Sequence, residues 1–216
     1  MSGSAATNTS ATGGYIVQRP PPPPTADDFQ VGVQGQLVAL SGLPGNLVRP
    51  QFQGTPPVQP PIDTTWASFG LVMTESDDYP YFLHVGSDTL AGETNPGYTI
   101  IQRHMTLTVH VVFYGPEAED VAGAVRDGLY IGQNYEPLLA LGLKLRTVHD
   151  LARVPELINQ QYLNRVDLRI EYRVMIERVL PIFDLSGADV HITDGDSGTE
   201  VDVSLSEGMS PPTWEP

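Results

Sequence analysis

Few residues in this chain could do chemistry, and each candidate fails on spacing. Gly195-Asp196-Ser197-Gly198 has the form of a serine-nucleophile motif. A serine nucleophile needs a histidine base within hydrogen-bond reach and a third group to orient that base. No histidine motif precedes it in a pattern that would supply one. Asp194, Asp196, Glu200 and Asp202 could hold a hard cation, but an EF-hand loop wants an acid or Asn at its fifth position, Gly at its sixth and Glu at its twelfth. Here those positions are Gly198, Thr199 and Leu205. His104 and His110 share one face of an alternating segment, yet six residues at about 3.3 Å each hold them roughly 20 Å apart, too far to share a metal. His84, His149 and His191 have no ligand-like neighbours in sequence. The chain has no glycine-rich phosphate loop and no dinucleotide fingerprint. The absence of cysteine removes disulfides, thiolate zinc sites and thiol nucleophiles together. The expectation is a protein that is not an enzyme and uses no cofactor or metal. A metal-dependent hydrolase built on the acidic C-terminal segment is the remaining catalytic reading. Deletion of residues 194–216 with no loss of hydrolysis or bound calcium would end it.

Charge points the same way. The net charge is −15 over 216 residues, which argues against affinity for the nucleic-acid backbone, because that needs Lys and Arg to displace counterions. It is compatible with a surface that DNA passes without sticking. Of the eleven basic residues, seven (Lys144, Arg146, Arg153, Arg165, Arg169, Arg173 and Arg178) lie between 144 and 178. Beyond Arg178 there are eight acids and no base, so the C-terminal segment is strongly acidic. No apolar run approaches the roughly 20 residues needed to span a bilayer, and no basic-then-apolar leader is visible at the N-terminus. The expectation is a soluble, intracellular protein with no membrane partner.

Two patterned segments organise the chain. From Ile101 to Phe113 the odd positions are apolar apart from Arg103, while the even ones read Gln102, His104, Thr106, Thr108 and His110. Period-2 alternation of that length predicts a long strand over 99–114 with one buried and one polar face. Gly115-Pro116 ends it. Pro116 suits the first position of a helix. Glu117, Glu119 and Asp120 suit its positive N-terminal end, and Val121, Ala124, Val125, Gly128 and Leu129 form its apolar stripe. The second pattern is Leu163 to Leu180. Its even positions from Val166 to Ile176 are apolar, and its odd ones from 165 to 173 read Arg165, Asp167, Arg169, Glu171 and Arg173, an alternating-sign face.

Around these lie weaker elements. Asp27 and Asp28 start a helix over 26–41, although Gly32 and Gly35 each cost up to about 1 kcal/mol relative to Ala. Residues 43–62 form a proline-rich connector pinned by Leu47, Val48 and Phe52. Strands are expected over 66–74, 79–85, 143–148 and 190–193, with a loop over 88–97. Asn134 is expected to cap a short helix reaching Leu141, and 149–162 to be a connector. Residues 1–25 read as a flexible arm with a five-proline run, Pro20 to Pro24, that favours an extended conformation. Residues 194–216 read as a flexible acidic tail. The domain between them, 26–193, is α+β: a mainly antiparallel sheet of about five strands with two to three helices packed on one face, and extended arms at both ends.

Residues 40–193 resemble the neck- or tail-terminator family of tailed bacteriophages. Four blocks carry the likeness: Gly42-Leu-Pro-Gly-Asn-Leu-Val-Arg-Pro-Gln-Phe-Gln53 with the prolines after it, Trp66-Ala-Ser-Phe-Gly70, Arg103-His104 through Tyr114-Gly-Pro to Gly128-Leu-Tyr-Ile-Gly-Gln-Asn134, and Val154 to Gln161 with Arg165-Val-Asp-Leu168. The resemblance implies a structural virion protein that forms a ring, usually sixfold, at the phage neck. Such a ring ends the tail tube, joins it to connector and head-completion proteins, and passes DNA through its lumen. Another tail or head–tail adaptor subunit (tube, sheath-adjacent or connector) is the alternative, and copy number per particle separates the two. Beside that resemblance, the polar strand faces become the candidate interface or lumen surface: His104, Thr106, Thr108 and His110 on the first strand, and Arg165, Asp167, Arg169, Glu171 and Arg173 on the second.

Overall fold

The computed structural model describes residue 8 and residues 14–53, 58–86, 97–158, 161–183, 187–193 and 200–206. The motif Gly195–Gly198, most of the loop expected at 88–97, most of the first fourteen residues and residues 207–216 lie outside them. The fold is α+β. In chain order it has helix α1 (Ala26–Ser41), β1 (Val48–Pro50), β2 (Trp66–Glu75), β3 (Tyr81–Val85), β4 (Tyr98–Tyr114), α2 (Ala118–Gly128), the short α3 (Glu136–Leu139), β5 (Lys144–Val148), β6 (Ala152–Arg153), β7 (Glu156–Ile158), β8 (Gln161–Leu163), β9 (Arg165–Leu180), β10 (Gly187–Thr193) and β11 (Glu200–Ser206). The main sheet has seven strands rather than five, in the order β1-β2-β4-β9-β5, with β3 also on β4 and β6 also on β9. It is mixed, because β1 runs parallel to β2. β2 is antiparallel to β4, and β5 and β6 are antiparallel to β9.

The chain divides into two compact units, one of Pro22–Tyr81 with Gln102–Glu177, the other of the remaining segments. In the first, β4 buries Leu107, Val109, Val111 and Phe113, and β9 buries Val166, Leu168, Ile170, Tyr172, Val174 and Ile176. These side chains form one core cluster with Phe29, Val33 and Leu37 of α1 and with Ala118, Ala122 and Val125 of α2. The helices therefore pack on one sheet face, as the alternation requires. The buried stripe of α2 is rotated from the expected one: Ala122 is buried and Ala124 exposed. Pro116 is not the first helical residue either. It precedes the N-cap Glu117, in a turn closed by the Ala118 N–H on the Gly115 carbonyl.

Helix α1 is fixed at both ends. The Thr25 hydroxyl accepts from the Asp28 N–H while the Asp28 carboxylate accepts from the Thr25 N–H at 2.8 Å, a reciprocal capping box that satisfies two otherwise unpaired donors. At the other end Gly42 adopts the left-handed conformation, φ 68°. Gly32 is a close-approach residue: a Cβ there would lie 2.6 Å from Leu141 Cδ1, so the missing side chain admits the α3 segment. Thr25→Ala is expected to cost about 1 kcal/mol, read as a lower denaturation midpoint. An unchanged midpoint would show that packing alone holds this end. The backbone N–H of Thr25, then its hydroxyl, holds the Asp28 carboxyl below its ordinary value. The stability this adds is present above the ordinary carboxylate range and is lost as pH falls through the lowered folded value.

The second unit holds β10 and β11, a seven-residue antiparallel ladder from Gly187↔Ser206 to Thr193↔Glu200. No strand is expected from the sequence after Thr193, yet β11 falls in the acidic segment. In this unit the Arg19 N–H donates to the Val179 carbonyl at 2.8 Å, and the Arg19 guanidinium lies over the Phe183 ring. His84 Nδ1 and Thr99 Oγ1 are 2.9 Å apart.

Candidate functional site

The polar face of the sheet is assembled by register. Opposite β2, Thr106 of β4 sits against Thr74, Thr108 against Val72 and His110 against Gly70. The pleat therefore puts the even residues of β2 and β4 on one side. Of the four β4 candidates, only His110 is exposed. Thr106 and Thr108 keep 9 % and 6 % of their surface, because small side chains in a central strand are overshadowed by the long ones around them. His104 is half-buried and tied down: Asp77 Oδ2 accepts from its main-chain N–H at 2.9 Å and lies 2.9 Å from its Nδ1. That main-chain N–H is the largest cause holding the Asp77 carboxyl below its usual range.

The β9 candidates form two groups. Arg165 clasps Asp167 bidentately, Nε to Oδ1 at 2.8 Å and Nη2 to Oδ2 at 2.9 Å, with Glu156 3.6 Å away. Further along, Glu171 is the hub. Its carboxylate meets Arg169 at 2.8 Å, His149 at 3.1 Å and Arg146 at 3.9 Å. The bond from the His149 ring is the largest influence lowering its pKa; the charges of Arg169, His149 and Arg146 act in the same direction, and burial opposes them. Arg146 also donates to Thr106 Oγ1 at 3.1 Å, and Thr106 Oγ1 is 3.0 Å from Ser76 Oγ. A polar chain thus crosses the sheet from Ser76 through Thr106 and Arg146 to Glu171, Arg169 and His149. Arg173 stands opposite Lys144 of β5 in register.

The expected residues split accordingly. Thr106, Glu171 and Arg169 fall in this one network, Arg165 and Asp167 in a second pair, His104 in a third with Asp77, and Thr108, His110 and Arg173 in none of them. Three members were not legible as site residues: Ser76, Arg146 and His149. The signal for Arg146 was the clustering of bases after residue 144; nothing local marked His149. Among the described residues no cluster of histidines and acids is arranged to hold a metal ion, and no helix is long and apolar enough to cross a membrane. The arrangement is one of clustered ion pairs on a broad strand surface, with Arg173 outside them. It positions no nucleophile against a base.

The model of a family described as phage neck terminator protein matches residues 27–199. The chain belongs to this family. This phage neck terminator relationship spans the described helices, Ala26 apart, and the whole main sheet, including both strands that carry the charged face. It is a family of phage structural proteins rather than of enzymes, and it associates the chain with the neck of the virion and with other head and tail proteins. No curated protein matches the chain.

Proposed function

We propose that this protein is the repeating subunit of a ring, sixfold in its simplest form, that ends the tail tube at the phage neck and joins it to the connector and head-completion proteins. DNA passes through the lumen without specific binding. The observation that carries this reading is the family match over residues 27–199, and the charged sheet face supports it. Contacts between identical subunits in a ring are heterologous and close by rotation. Alternating-sign side chains on β9 suit such contacts, since opposed like charges forbid wrong registers. His110, Arg165, Asp167, Arg169, Glu171 and Arg173 are the residues assigned to the contact or lumen surface. His104, Thr106 and Thr108 stiffen the strand beneath them. A net charge of −15 per copy suits a conduit that must release DNA.

Cryo-EM of the particle, with copy numbers from quantitative mass spectrometry, is the test. A single ring of a handful of copies at the neck is expected. Many copies along the tail would make this a tube or sheath-adjacent protein, and absence from virions would remove the reading altogether. Glu171→Gln discharges the hub while keeping its shape. The variant is expected to stay folded by circular dichroism but to form fewer rings in native mass spectrometry. Unchanged ring formation would take the Glu171 network out of the interface.

A further inference from the structure

At the Arg165–Asp167 end of the sheet's polar face, one cavity of about 360 Å³ opens beside the start of β2. Its wall is the pair Trp66 and Tyr114, which face each other across β2 and β4 and stack with ring centroids 4.4 Å apart and planes within 15°. Pro50 and Pro60 add apolar surface, Gln59 and Ser68 add hydrogen-bonding groups, and Glu156 adds a carboxylate. Arg49 fixes the segment that carries Gln59 and Pro60 by donating from Nη1 to the Val58 carbonyl at 2.8 Å. Tryptophan, tyrosine and proline around a groove with a few amide donors are the surface that receives extended proline-rich chains. Such chains have no internal hydrogen bonds, so their carbonyls are free to accept, and their fixed backbone loses little entropy on docking.

The chain carries a matching ligand. Arg19 is followed by five prolines, Pro20 to Pro24, of which Pro20, Pro21 and Pro22 are exposed. The run contributes no residue to the cavity. We propose that the Trp66–Tyr114 groove binds the Pro20–Pro24 run of a second copy of this chain. The second copy as occupant rests on the ring reading above; the groove's preference for proline-rich chain does not. Docking of this kind would tie each subunit to its neighbour through the segment that leads into α1.

The test uses the full chain with Trp214→Phe, which leaves Trp66 as the only tryptophan. A peptide of residues 17–26 is titrated while Trp66 emission is followed. A saturable change is expected, weakened about tenfold by Tyr114→Ala, a shift of about 1.4 kcal/mol. Pro60→Ala, a milder change on a connecting segment, is expected to weaken it less. A peptide with alanine at positions 21–24 is expected not to bind. In the cysteine-free background, Gln59→Cys and Pro22→Cys variants are then mixed under oxidising conditions. A disulfide joining the two kinds of chain is expected. No saturable binding, or binding unchanged by both groove variants, overturns the groove. Peptide binding without the mixed disulfide in an assembled ring overturns the second copy as occupant. Native mass reads the ring separately: a ring without peptide binding sinks this inference alone, and peptide binding by a chain that never assembles sinks the ring.

Discussion

Gly115→Ala is expected to lower the stability of the protein by about 3 kcal/mol. Gly115 lies between β4 and α2 with φ 103°, a conformation that costs a non-glycine residue about 1–3 kcal/mol. Space is the second obstacle. A Cβ at this position would sit 2.5 Å from the Thr64 carbonyl oxygen and 2.8 Å from Thr65 Cα. Both obstructing atoms are backbone, so no flexible side chain can swing aside, and overpacking of that kind costs about 1–3 kcal/mol more. Relief would require moving the segment before β2, whose Thr65 hydroxyl accepts from the Glu117 N–H at 3.2 Å, or breaking the bond from the Gly115 N–H to the Asn164 carbonyl at 3.1 Å. For a chain of this length about 3 kcal/mol corresponds to a fall in Tm of about 6–12 °C. A Tm within about 2 °C of the parent's would mean that the segment yields freely, and the rigid junction between sheet and helix would have to be given up.

What could be read from the sequence follows element length. β4, β9 and α1 were legible because many residues in each obey one period, so a single exception such as Arg103 does not hide the pattern. Arg103 sits where β4 leaves the core and pairs with Glu75 of β2. The short strands were not legible. β1, β6, β7 and β8 have two or three residues each, too few to display alternation. β1 ends in a proline, and it exists because β2 offers it an edge, extended by the Gln51 N–H on the Phe69 carbonyl at 2.8 Å. Asn134 shows the same limit. Its residue type predicts a helix cap ahead of it, and the structure turns it backward, donating from Nδ2 to the Gly128 carbonyl at 2.8 Å at the end of α2. The outward faces of β4 and β9 were correctly separated from the core, but alternation says nothing about depth. Thr106 and Thr108 are on the polar face and still buried, because neighbouring strands, not their own pattern, decide what covers them.

Tyr172→Phe is the second large effect, expected to cost about 1–3 kcal/mol although it removes a single oxygen. Tyr172 is fully buried in β9, where its hydroxyl donates to Gln36 Oε1 at 2.6 Å. Gln36, itself on the core side of α1, donates from Nε2 to the Asn134 carbonyl at 3.2 Å. Each member satisfies the next, so removing the hydroxyl leaves a buried amide oxygen without a donor, and that desolvation penalty is the main loss. Pairing the change with Gln36→Leu removes the orphaned oxygen. The double variant is expected to recover part of the loss, but not all, because the Asn134 carbonyl then loses its donor. Equal and additive losses in the two single variants would show that the groups do not act as a unit. Alkaline titration gives an independent reading. Burial pushes the Tyr172 hydroxyl well above its ordinary value, and the bond to Gln36 only partly opposes this. A raised value means the folded chain holds its proton after the unfolded chain has lost it. The stability linked to Tyr172 is therefore complete below about pH 10 and declines as pH rises beyond it. The parent should lose stability more steeply than Tyr172→Phe above that pH, and parallel curves would show that Tyr172 does not hold its proton in the fold.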